Sequence, residues 1–156
     1  MTGGNPVPDP VMARIVAAQE RAVAGDRQGA REAFAAVWAD LGEEGDALHV
    51  VSLAHYAADV QDDPREELAW DEVALRAAER LTDERARRYH EGLSVRGFLA
   101  SLHLNLAADH AKLGDRQAAL EHLSGAEAAL PDLPPGGYAD MIRGGVVRLR
   151  TELGPA

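Results

Sequence analysis

Cysteine is missing altogether from this chain of 156 residues. That excludes disulfides, thiolate catalysis and cysteine-ligated zinc at once. Lysine is nearly missing too: Lys112 stands alone, and arginine carries the remaining positive charge. Acidic residues outnumber basic ones by 26 to 16, for a formal net charge of −10. A surface that neutralises phosphates needs an excess of cations, so nucleic acid is not an expected partner. An anionic membrane surface is disfavoured on the same ground. Alternating β-branched residues are absent; Val50-Val51 and Val146-Val147 are pairs rather than strands. No apolar run approaches the roughly 20 residues that cross a bilayer. Residues 1–8 are polar, rich in Gly and Pro, and without an apolar signal core. They are expected to form a disordered leader, and the cytoplasm is the simplest compartment.

What is abundant is alanine. Apolar residues make up 46% of the chain, but aromatics only 4%. Alanine has the highest helix propensity and the smallest side chain, so such a core suits closely packed helices. The expected class is therefore all-α, in one domain. Asp9-Pro10 reads as an N-cap followed by the first helical position. Met12, Ile15, Val16, Ala22 and Val23 then follow helical spacing up to Gly25-Asp26. A second helix carries Ala30, Phe34, Val37, Trp38 and Leu41. A third is expected over 46–60. Asp62-Asp63-Pro64 stops it, with Asp63 capping a fourth whose stripe is Leu68, Val73, Leu75, Ala78 and Leu81, with Trp70, Ala74 and Ala77 on an adjoining stripe. Residues 84–91 read as helical and strongly charged. From Phe98 the pattern is clear again through Leu99, Leu102 and Leu106 to Gly114-Asp115. The next helix ends at Pro131, and the last covers 138–153.

Two segments resemble each other. Gly25-Asp26-Arg27-Gln28 matches Gly114-Asp115-Arg116-Gln117, with Ala30 and Ala119 five residues after the Gly and Phe34 and Leu123 four further on. Residues 100–133 resemble the roughly 34-residue tetratricopeptide repeat along its whole length. Leu106-Ala107 fall on its large–small pair, Gly114 on its turn, Ala119 and Ala126 on its second helix, and Pro131 where it closes. His103 and His110 depart from the pattern, standing where aromatics are usual. The resemblance implies an antiparallel helix-pair array of about three units, at 9–44, 45–82 and 98–133, with an insertion at 83–97 and a capping helix at 138–153. The insertion is needed because the two Gly-Asp turns lie further apart than two repeats allow.

Catalytic patterns fail on inspection. His90-Glu91 opens like a zinc-protease motif, but Ser94 occupies the place of the second His. His103 and His110 share a helix face but stand seven apart, where ligand pairs on one helix are usually three or four apart. No nucleophile–base pair is evident. The chain is expected to be no enzyme, without cofactor or metal.

The resemblance to the repeat family implies a scaffold whose concave face, lined by the first helix of each pair, binds a protein or peptide. On that helix Ser101, Asn105, Ala108 and Lys112 share one face. Asn105 falls where peptide-binding members carry an Asn that grips the ligand backbone, and Lys112 adds complementarity to a carboxylate. A second reading is a sensor for a small molecule or signalling peptide, in a groove closed by residues 83–97. A deep pocket walled by residues 85–112 favours the sensor; an open groove favours the scaffold. The apolar face of Met12, Ile15 and Val16 is a candidate homodimer interface.

Overall fold

The computed structural model describes residues 8–155. The expected leader at 1–8 lies almost wholly outside them. Among the described residues the chain forms eight α-helices and no strand. They are α1 (Pro10–Val23), α2 (Arg27–Leu41), α3 (Ala47–Asp59), α4 (Pro64–Arg80), α5 (Asp83–Tyr89), α6 (Val95–Lys112), α7 (Arg116–Ala129) and α8 (Gly137–Leu153).

Helix starts follow from short polar side chains. Asp9, Asp26, Asp46, Asp63 and Asp115 each accept a backbone N–H in the first turn of α1, α2, α3, α4 and α7. Thr82 and Ser94 do the same for α5 and α6. Each satisfies a donor that has no partner within its helix. Five of the 26 acidic residues thus serve as helix caps.

The two Gly-Asp turns are the same turn twice. Gly25 and Gly114 have φ of +95° and +80°, where a side chain would be strained. The Asp26 N–H donates to the Arg21 carbonyl and the Asp115 N–H to the His110 carbonyl, each at 2.9 Å. Gly25 N–H reaches Ala22 and Gly114 N–H reaches Ala111 in the same way. This is the Schellman closure of a helix, followed at once by the cap of the next. Such short connections fold α1 back on α2 and α6 back on α7.

Helix α3 packs on α4 across the glycine-free connection Val60-Gln61-Asp62-Asp63, and the pairs are linked through α2 on α3, α4 on α6 and α7 on α8. The core is correspondingly a series of three apolar clusters. One lies among α1, α2 and α3 around Ile15, Phe34, Leu48 and Leu53. A second joins α3, α4 and α6 through Val50, Val51, Ala74, Ala78 and Leu102. A third joins α6, α7 and α8 through Ala107, Leu123, Ala126, Ile142 and Leu149.

Three expectations change. On α4 the expected Ala78 and the adjoining Ala74 and Ala77 are buried together with Asp71, while Leu68, Val73 and Leu75 are only half-buried. Small residues win that face because α4 is clasped by α3 on one side and α6 on the other. Of residues 83–97 only Asp83–Tyr89 form a separate helix, α5, and α6 begins at Val95 rather than Phe98. Helix α5 packs backward. Ala86 is fully buried in the first cluster, Arg85 bonds Asp46 at 2.9 Å, and the Val95 N–H donates to Asp83 at 2.8 Å. Finally, Met12 and Ile15 belong to the core and leave only Val16 exposed from that face. The apolar interface expected there is consumed by packing against α2 and α3.

Candidate functional site

Two features converge on α6. The first is a cleft of about 440 Å³ between α3, the connection from α5 to α6, the start of α6 and the loop before α8. Its walls are Tyr56, Leu93, Phe98, Leu102, Leu133 and Tyr138, with polar groups from His55, Ser94 and Ser101 at intervals. That size and mix, a mostly apolar wall with a few fixed polar groups, is typical of small-ligand sites. The Tyr138 hydroxyl donates to the Gly97 carbonyl and holds the α8 loop against α6. Burial pushes the Tyr138 hydroxyl above its ordinary pKa, with a hydrogen bond to Ser101 acting the other way. It is a neutral donor at physiological pH. Gly97 and the Pro134-Pro135-Gly136-Gly137 run let backbone form much of the rim.

The four residues expected to share a ligand face are divided. Ser101 lines the cleft. The Asn105 side-chain amide lies 3.3 Å from His55 Nδ1. If the amide donates, His55 is neutral with its proton on Nε2, and burial indeed lowers the His55 pKa. Ala108 packs against the third core cluster. Lys112 Nζ donates to both Glu67 oxygens, at 3.0 and 3.2 Å. Helical spacing brings the four to one side of α6, but α3, α4 and α8 each claim part of that side.

The second feature is a cluster of carboxylates. Glu67 and Asp71, one turn apart on α4, meet Asp109 of α6, with one oxygen from each lying within 4.8 Å of the others. Asp71 and Asp109 are each 1% exposed. No N–H donor reaches either Asp109 oxygen or Asp71 Oδ1, and the hydrogen bonds open to Asp109 are those to Asp71 and Glu67 through a carboxyl proton. Burial pushes the Asp71 carboxyl up to about 6 and the Asp109 carboxyl up to about 10, and the neighbouring acids add to the rise at Asp109. The sequence reading passed over this cluster because its members are distributed over two helices. The available signal was the position of each acid on an apolar stripe: Asp71 with Ala74 and Ala78, and Asp109 with Leu102 and Leu106.

His103 and His110, which share a face of α6, meet His122 of α7. His103 Nδ1 lies 3.1 Å from His122 Nδ1, and His122 stacks on His110 with ring centroids 5.4 Å apart. Burial lowers the pKa of both His103 and His122. A neutral pair sharing one proton accounts for the 3.1 Å approach.

Compared with models of protein families, with curated proteins and with solved structures, the chain finds no match. Among the described residues no helix is long and apolar enough to cross a membrane.

Proposed function

We propose that this protein is a cytoplasmic binding module of the tetratricopeptide-like kind, and that its recognition site is the cleft at the start of α6. The observation that carries this reading is the cleft itself: apolar walls from three elements, a volume of about 440 Å³, and the polar side chains of Ser94, Ser101 and His55 on its lining. Its ligand presents one bulky apolar group beside a hydrogen-bonding group. A peptide side chain next to its own backbone has that chemistry, and so does a small amphipathic molecule. Asn105 contributes behind the cleft by fixing His55 rather than by gripping a ligand.

The sensor reading draws support from one specific feature. The cleft is walled by Gly92, Leu93 and Ser94 of the segment that precedes α6, so the insertion encloses the site rather than merely spacing the helices.

The test is Ser101→Trp, which places a large ring in the cleft from a half-buried position. The parent should select peptides with a shared apolar anchor from a displayed library, or carry a small molecule of fixed mass in native mass spectrometry. The first result assigns a peptide ligand and the second a small molecule. Ser101→Trp should abolish either while circular dichroism stays unchanged. Undiminished binding by a folded Ser101→Trp chain would place recognition on another surface.

A further inference from the structure

We propose that Glu67, Asp71 and Asp109 form a binding site for a hard divalent cation of the Mg²⁺ and Mn²⁺ class, separate from the cleft. Three observations lead there. The first is convergence: one carboxylate oxygen from each residue lies within 4.8 Å of the other two. Cations of this class bind oxygen at about 2.1 Å, so oxygens on one coordination sphere are separated by no more than about 4.2 Å. The 4.8 Å bound on their separations lies just above that limit. The second is the state of Asp109. Asp109 is 1% exposed and faces the two acids of α4, and no N–H donor reaches either of its oxygens; its hydrogen-bonding neighbours there are the other carboxyls of the cluster. A buried carboxylate without a donor is costly, and one that contacts a metal is satisfied.

The third observation is charge. Lys112 is the ammonium at the cluster, and both its hydrogen bonds go to Glu67. It donates no hydrogen bond to the other two acids and reaches them through its charge alone. With Asp109 ionised on binding, three carboxylates and one ammonium carry two negative charges, which one divalent cation neutralises. Asp59, at the end of α3, adds to the negative field on Asp71. The donors are all carboxylate oxygens, without sulfur, which selects hard cations over zinc or copper. Entry is past Lys112, whose side chain is 52% exposed.

The competing occupant is a proton shared between Asp71 and Asp109, and one titration separates the two. Mn²⁺ in water gives a six-line electron paramagnetic resonance signal that broadens on binding. The full chain, stripped with chelator and titrated with Mn²⁺ at pH 7.5, should quench one equivalent of that signal saturably. Mg²⁺ in excess should restore it. Asp109→Asn keeps the shape of the side chain and removes its charge, so it should weaken Mn²⁺ at least tenfold. Glu67→Gln, at the half-buried edge of the cluster, should weaken it as well. Glu79→Gln, on the exposed face of α4, controls for the general acidity of the surface and should leave binding unchanged. Absence of a saturable component up to millimolar Mn²⁺ would sink the proposal. So would a folded Asp109→Asn or Glu67→Gln chain that binds as the parent does.

Discussion

The buried acids set the chemistry of the molecule at the scale of single residues. In the absence of a cation, Asp109 holds a proton in the folded chain that the unfolded chain gives up near pH 4. Its folded pKa is raised, so the stability it contributes is complete below about pH 4 and is lost as pH rises toward 10. Asp71 acts in the same direction between about 4 and 6. Denaturant unfolding of the chelated protein should therefore show stability falling from pH 6 to pH 10. The slope should not exceed about 1.4 kcal/mol per pH unit for one proton. Asp109→Asn should flatten that slope. A parent whose stability stays level over this range would mean that Asp109 is already ionised and compensated. Neither acid stands out in the sequence by type, because the chain is acidic throughout. Each does by position, as the charged member of an apolar stripe. What no reading of spacing supplies is that α4 and α6 face one another at those two stripes.

At the scale of elements the sequence is far more legible, for a local reason. Asp at the cap, Pro at the first position and Gly in the left-handed turn act within four or five residues, so α1, α2, α4 and α7 begin where those signals stand. Helix α5 is less legible because its seven residues offer only Ala86 to a core, and its position depends on the distant acid Asp46. The same logic locates a sensitive small residue. Ala119 is fully buried on α7, as Ala30 is on α2, each just beyond a Gly-Asp turn that brings two helices together. Ala119→Leu should cost about 1–3 kcal/mol, since the added atoms separate α6 from α7. A thermal melt measures it, and an unchanged midpoint would show that the two helices have room between them.

At the scale of the whole molecule, two opposing electrostatic effects decide the response to salt. Ion pairs such as Arg14 with Asp40 and Arg76 with Glu43 are largely exposed, and pairs of that kind contribute little. A net charge of −10 on a chain this size repels itself over distances that salt screens well. Relief of repulsion outweighs loss of the pairs. The melting temperature should rise by a few degrees between 10 mM and 500 mM sodium chloride. A fall would show that the exposed pairs act as a network. The all-α class follows from composition and periodicity. The arrangement that makes the cleft does not, because its walls come from α3, from the connection after α5 and from the loop before α8. Those segments share no pattern along the chain.

The ammonium of Lys112 has one more consequence. It is the only side-chain amine in the protein, and it stands at the mouth of the carboxylate cluster, bonded to Glu67. Amine-directed reagents therefore have a single side chain to modify. Once the N-terminal amine is blocked, a fluorophore or spin label coupled there yields a uniformly tagged population without any substitution. The tag would sit where α4 and α6 meet, beside the acids themselves. The scarcity of lysine thus turns an ordinary coupling reaction into a reporter addressed to one location.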